Sequence, residues 1–267
     1  MKLVKFLSLL SFLYFTSCST DENNKETDND LKSYSTEYMD YSNLMVGSIG
    51  SVKLEYDSQR RIIKKNGGFS PLPASLGNET YIFSPDVTEA IVYTNNEIKI
   101  TRNIPNINLF FERKIVVDNQ NRIIKKIIYK QDPELNDSIF YTYNNLNQID
   151  ETIKLYGKPN YLSKFSQKAK YYYNPQQNLD SIVTVNFEEG QQVTGVRIVE
   201  KFSNYDNAAN PLKKLILFDE TYYRAISKNN YSKYEKLSYS NDKLTEKTNK
   251  NYQYRYDASG NIMYDFE

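Results

Sequence analysis

Apolar and polar positions alternate along most of this chain, in short runs broken by Asn, Asp and Ser. Tyr254-Arg255-Tyr256-Asp257-Ala258-Ser259-Gly260-Asn261-Ile262 sets the frame: an alternating strand, a turn and an apolar return. Asp257 is placed to accept from the backbone two residues on, closing an Asx-turn. Gly260 supplies the positive φ that a short bulged hairpin loop requires. The spacing predicts a β-hairpin.

The frame recurs upstream. Leu54-Glu55-Tyr56-Asp57 runs on to Ile62 without the Gly, and Ile115-Val116-Val117-Asp118 runs to Ile123 with Asn121 in its place. Tyr141-Thr142-Tyr143-Asn144 leads to Ile149, and Tyr171-Tyr172-Tyr173-Asn174 to Leu179. Asn204-Tyr205-Asp206 leads to Leu212, and a shortened copy runs from Tyr239 through Asn241 to Leu244. From Val117 onward most successive copies leave room for one unmarked hairpin between them; the last leaves none. An internal repeat organises the chain.

The flanks alternate as strands do. Ile139, Tyr141 and Tyr143 are predicted on one face, joined after the turn by Ile149, Ile153 and Leu155. Tyr171 and Tyr173 are matched in the same way with Leu179, Val183, Val185 and Phe187. Thr142, Asp150, Thr152, Lys154 and Thr184 fall on the opposite, polar face. One apolar face and one wet face describe an antiparallel sheet. The chain is predicted all-β, an antiparallel meander with no helical period after residue 35. Asn66 to Pro73 reads as a Gly- and Pro-rich loop, followed by strand-like runs at Thr80 to Phe83 and Ala90 to Ile100, and a further loop at Asn103 to Asn108. Sheets beyond about 10 strands tend to curl or split. The expected shape is therefore a barrel-like or spiral roll. A membrane-spanning barrel is disfavoured because Lys64, Lys65, Lys125, Lys126, Lys213 and Lys214 would interrupt its apolar band.

At the N-terminus Lys2 and Lys5 precede an apolar run from Phe6 to Phe15, which small residues close at Thr16-Ser17-Cys18. This is the form of a secretory signal peptide, too short to span a bilayer. Phe15-Thr16-Ser17-Cys18 resembles the lipobox of bacterial lipoproteins, with Phe15 where Leu is usual. The resemblance implies a signal peptide over 1–17, diacylglycerol on Cys18 and anchoring to the membrane through it. Several acyl chains on one residue give stable attachment. Residues 18–35 open on Ser19 to Asp30, polar and acidic, and are expected to form a flexible tether. A single β domain is expected over 36–267. The acidic stretch also resembles the signal that sends some Bacteroidota lipoproteins to the cell surface, so the outer membrane, facing outward or into the periplasm, is the expected location.

Composition removes whole classes of chemistry. With no His and one Cys, no Ser-His-Asp, Cys-His or zinc-thiolate arrangement can be built. Lys and Arg total 34 against 33 Asp and Glu, which gives no basic field for nucleic acid. The carboxylates Glu188 and Glu189 precede Gly190 in a hairpin turn, but adjacent strand residues face apart, so no acid–base pair is expected. Asp57, Asp118, Asn144, Asn174, Asp206 and Asp257 could pass for calcium ligands; at separate turns they read better as turn caps. Of the 25 Tyr, those at 171–173, 222–223, 231, 234, 239, 252, 254 and 256 cluster in the C-terminal half. They suit cross-strand packing more than an exposed sugar-binding row.

The turn frame resembles the YD repeat of Rhs and teneurin proteins, most closely at Tyr256 to Ile262. Over roughly residues 50–267 the chain resembles Bacteroidota lipoproteins with degenerate YD-like hairpins, of which Tyr205-Asp206-Asn207-Ala208-Ala209-Asn210-Pro211-Leu212 is typical. That resemblance implies a long β-meander and brings no known activity. The expected function is a non-catalytic envelope lipoprotein with a structural or binding β domain, needing no cofactor or metal, with a glycan or another envelope protein as partner. The alternatives are a hydrolase of glycans using carboxylates alone, and a small-ligand carrier with a barrel cavity.

Overall fold

The computed structural model describes residues 30–40, 45–46, 49–71, 80–105, 111–157 and 165–265. Cys18, the signal peptide and most of the tether lie outside the described residues. The strands in chain order are β1 (Ser33–Ser35), β2 (Met45–Val46), β3 (Ser51–Tyr56), β4 (Ile62–Pro71), β5 (Thr80–Tyr93) and β6 (Glu97–Asn103). Then come β7 (Phe111–Val117), β8 (Ile123–Tyr129), β9 (Asp137–Tyr143), β10 (Ile149–Leu155), β11 (Phe165–Tyr173) and β12 (Leu179–Glu188). The series ends with β13 (Gln191–Tyr205), β14 (Tyr231–Ser240), β15 (Lys243–Asn251), β16 (Arg255–Tyr256) and β17 (Ile262–Met263). From β3 to β15 each strand pairs antiparallel with the next, β1 flanks β3, β2 joins β5 in parallel, and β16–β17 form a separate hairpin. The chain is an all-β meander.

Five repeat turns share one geometry. The amide of the Asx residue donates to the carbonyl four residues on, and the amide three residues on donates back to the Asx carbonyl, at Asp57, Asp118, Asn144, Asn174 and Asp257. Each Asx side chain accepts from the amides two and four residues later. The third residue after the Asx is left-handed in every copy: Arg60, Asn121, Asn147, Gln177 and Gly260. Non-Gly residues there cost roughly 1–2 kcal/mol, which the shared hydrogen bonds offset. Glycine is dispensable because the Asx cap holds the turn.

Each of the four repeat turns within the sheet is followed by a bulge, at Ile63, Ile124, Asp150 and Asp180. The extra residue shifts the pleat by one and so exchanges the two faces. The inward pairs are thus Ile62 with Lys65, Ile123 with Lys126, Ile149 with Thr152 and Leu179 with Ile182, all buried. Two face assignments predicted from alternation are corrected here. Thr152 is 8% exposed while Ile153 and Leu155 are 37% and 38% exposed. Beyond Leu179, Ile182 lies inside opposite Tyr171, and Val183 pairs with Lys170 on the outer face.

The Asp206 copy makes no hairpin. Tyr205 pairs with Tyr231, and the 25 intervening residues leave the sheet as an insertion of 3-10 turns at Pro211–Leu215 and Asp219–Thr221 and a short helix α1 (Tyr222–Ala225). Asn210 caps the first turn through Leu212 N, and its amide group donates to the carbonyls of Arg224 and Ser227. Pro211 suits the first position of such a turn. These elements were not foreseen, because each is too short to show a helical period.

The insertion is the core of the molecule. Leu212, Leu215, Leu217 and Phe218 are buried in one cluster with Val52, Ile91, Ile100, Ile115, Ile149 and Ile182 from the sheet. Asp219 to Tyr223 touch β1, β4, β7, β8, β9, β11 and β13 through side chains. In a flat sheet β4 and β13 would stand roughly 40 Å apart. The sheet therefore curls around the insertion, as the expected roll requires. No ladder joins β1 to β15 among the described residues; Ser35 N donates to Tyr264 O at 2.6 Å, and Lys250 Nζ to Met39 O at 2.8 Å.

Three smaller corrections follow. The segment predicted as a loop from Asn66 continues β4 to Pro71, with a bulge at Gly67 (φ +99°). β5 is one strand from Thr80 to Tyr93 with an irregularity at Pro85 to Val87, and a turn between Tyr93 and Glu97 divides the run predicted over Ala90 to Ile100. The folded domain also begins before residue 36, since Ser33–Ser35 pair with β3.

Candidate functional site

Tyrosines at the ends of several strands tie neighbouring turns together. Tyr93 at the end of β5 donates to the carbonyl of Ile62, the first residue of β4, at 3.0 Å. Tyr143 of β9 does the same to Ile123 of β8 at 2.9 Å, and Tyr205 of β13 to Leu179 of β12. Tyr173 turns its hydroxyl towards Ile149 of β10 without reaching hydrogen-bond geometry. Tyr56 serves the chain ahead of β1, reaching Leu31 O at 2.6 Å. The β5–β6, β9–β10 and β13 ends thus tie back to the preceding turn at the same end of the sheet. Burial raises these phenols, Tyr93 and Tyr143 to about 12, so they stay protonated donors. The residue four after the Asx adds a second tie: Arg61 pairs with Asp57 and lies 4.6 Å over the Tyr93 ring, and Arg122 pairs with Asp118 and lies 4.8 Å over Tyr143. Sequence reasoning found Tyr56, Tyr143, Tyr173 and Tyr205 as a pattern, without Tyr93, and missed the bonds they make.

Most of the C-terminal tyrosines face inward. Tyr171, Tyr173, Tyr222, Tyr223, Tyr231, Tyr234, Tyr252 and Tyr254 are buried in, or packed against, the core, whereas Tyr172 and Tyr256 are exposed. Phe202 meets Tyr223, Tyr231 and Tyr234 at 5.0 to 5.5 Å between ring centres. These are packing distances.

Beneath the insertion lies a buried charged cluster that alternation could not reveal. Lys65 bridges Glu89 (3.4 Å) and Glu220; Arg113 bridges Glu89 (2.8 Å) and Asp219 (3.6 Å); Lys126 pairs with Asp219. Lys65 and Lys126, counted above against a membrane face, in fact point inward, which the bulges bring about. Burial alone would raise the Glu89 carboxyl, but Lys65, Arg113 and Arg102 outweigh it and hold it at about 2. At Asp219 burial also opposes ionisation, and Lys126 and Arg113 prevail, to about 2. Its side chain keeps 67% of its surface open, so solvent screens these pairs more than those of Glu89. Such carboxylates stay ionised at neutral pH and hold no proton to give.

Two further buried polar groups complete the interior. Burial raises Glu200, although the Tyr234 and Tyr223 hydroxyls donate to it at 2.6 and 3.0 Å. Arg224 lies 4.1 and 4.2 Å over the Tyr231 and Tyr252 rings, with Asp40 at 3.7 Å. Its Nε and one Nη have no hydrogen-bond acceptor; the ring faces take that role. Every charge here is met by the protein itself.

The residues weighed for chemistry fall elsewhere. Glu189 and Gly190 form the two-residue β12–β13 turn with φ of +50° and +81°, a turn of the primed kind. Asp57, Asp118, Asn144, Asn174 and Asp257 cap their own turns, whereas Asp206 accepts from Asn230 across the insertion. Among the described residues no three His, Cys, Asp or Glu come together as a metal site.

At the turn end, between the β3–β4 and β7–β8 turns, a cavity of about 320 Å³ opens beside Val117, Tyr93 and Leu217.

No known protein family matches the chain, and neither does any curated protein. Among solved structures it is similar to a porin-like protein from Bacteroides uniformis, at 9% identity and TM-score 0.48 over 80% of each chain. It is also similar to a porin-like protein from Bacteroides vulgatus, at 14% identity and TM-score 0.48 over 85% of this chain and 91% of that one.

Proposed function

We propose that the chain is an envelope lipoprotein, anchored in the outer membrane through Cys18, whose β domain is non-catalytic and serves structure or binding. The observation that carries the non-catalytic part is the filled interior. The concave side of the sheet, where a barrel enzyme or carrier would hold its substrate, is packed by Leu212, Leu215, Phe218 and Tyr222 of the chain's own insertion. A carboxylate-only hydrolase needs one carboxyl able to hold a proton and another able to attack, both facing the substrate. Glu89 and Asp219 are instead held low by lysine and arginine, and Glu200 is closed in by two tyrosines.

Anchoring rests on the run Phe15-Thr16-Ser17-Cys18, and the YD-like reading on the five equivalent Asx turns. A glycan or another envelope protein is the partner class we favour. Labelled palmitate fed to expressing cells should enter the wild-type chain and not Cys18→Ala, and protease shaving of intact cells then reports the side. Equal labelling of the variant would refute the anchor.

A further inference from the structure

Among the odd-numbered strands from β3 to β13 the tyrosine before the turn is missing at one place. β3, β5, β9, β11 and β13 all end in Tyr before their turns; β7 ends in Val117. By the pattern of its neighbours a tyrosine there would reach back towards the start of β6, near Ile98. The cavity of about 320 Å³ lies at that place, walled by Ile62, Tyr93, Ile98, Val117, Ile123 and Leu217. Its size is at the lower end of small-molecule sites, which run roughly 300–1,000 Å³. Val117 leaves open at this place the room that a phenol ring would take.

The mouth differs in character from the walls. Arg60, Arg61 and Lys214 stand around it. A carboxylate already occupies this rim: Asp30 accepts from Arg60 Nε at 2.8 Å and Nη2 at 3.1 Å, and pairs with Lys214. That paired geometry is how arginine takes a carboxylate. The stretch leading to Asp30, Ser19 to Asn29, has no large apolar side chain with which to fill the hollow.

We propose that this cavity is a binding site for a small apolar carboxylate, its hydrocarbon or ring body against Val117 and Tyr93 and its head at Arg60 and Lys214 in place of Asp30. The inference goes beyond the glycan or envelope-protein partner favoured above and does not depend on the lipid anchor.

The test is saturation-transfer NMR on the full-length protein reconstituted in nanodiscs, with 3-phenylpropionate as probe and 3-phenylpropan-1-ol as its uncharged analogue. Wild type should give saturable binding of the acid, at least threefold tighter than the alcohol. Val117→Tyr and Ile98→Phe, which fill the hollow from opposite walls, should each weaken the acid at least tenfold while keeping the strand signature in circular dichroism. The double variant Arg60→Gln, Lys214→Gln should bring the acid down to the level of the alcohol. No saturable binding by wild type, or undiminished binding by a folded filling variant, overturns the site. Equal affinity for acid and alcohol overturns the anionic class. Protease shaving and palmitate labelling read the anchor separately, so either idea can fail alone.

Discussion

The phenol hydroxyl of Tyr143 bonds one backbone carbonyl, Ile123 O, under the Arg122 guanidinium. Tyr143→Phe keeps the ring and the packing and strands that acceptor, so it should cost about 1 kcal/mol, read as a lower urea midpoint at unchanged slope. The left-handed turn position gives a second residue-scale prediction. Gly260 has open space around the point where a Cβ would stand, so only its φ of +80° resists substitution. Gly260→Ala should therefore cost about 1 kcal/mol, and Gln177→Gly, at φ +67°, should recover up to a similar amount. Thermal melts of the two variants, moving in opposite directions, would bear this out.

At the scale of elements the insertion decides stability. Phe218 is fully buried, with the Lys65 ammonium 4.6 Å over its ring. Phe218→Ala should cost about 3–5 kcal/mol, more than any exposed change on β15, whose residues are nearly all exposed. Chemical denaturation of Phe218→Ala beside Thr245→Ala would show the contrast. The hairpins were legible in the sequence because a turn is local: Tyr, Asx, a left-handed residue and an apolar return fit within nine positions. The bulge after each return was not legible. Asp150 and Asp180 look like ordinary outward polar residues, and only pairing reveals that each shifts the pleat and brings Thr152 and Ile182 inside. The insertion was hidden for a related reason. Asp206 repeats the turn signal, but its side chain accepts from the amide of Asn230, not from one two residues on. The same letters close a longer loop. The Lys65–Glu89–Arg113 group joins residues far apart in sequence and has no local signature.

Over the whole molecule, edges and charge set the limits. β15 leaves the last edge of the sheet covered by Lys243, Lys247 and Lys250, a composition that discourages pairing with another chain. The insertion is held to the sheet by ion pairs as well as by packing, and this gives stability a direction in pH. The Glu89 carboxyl is ionised down to about 2 in the fold, against 4.5 unfolded. Its contribution is therefore complete above about pH 5 and falls away as pH drops from 4.5 towards 2. Glu89→Gln should flatten the stability profile in that window and, by leaving Lys65 and Arg113 short of a partner, cost about 3–5 kcal/mol at neutral pH. Urea midpoints of both proteins from pH 7 to 2 would measure it.

The insertion packs the concave side of the sheet, and the proposed non-catalytic role rests on that packing. Native-state hydrogen exchange tests it most directly, by comparing amides of residues 211–226 with those of β9 to β13. The account predicts that Phe218, Thr221 and Ile226, whose amides are bonded within the insertion, exchange only on global unfolding, together with the sheet. Rapid exchange of these amides while the sheet stays protected would make the insertion a lid over an accessible interior and contradict the account.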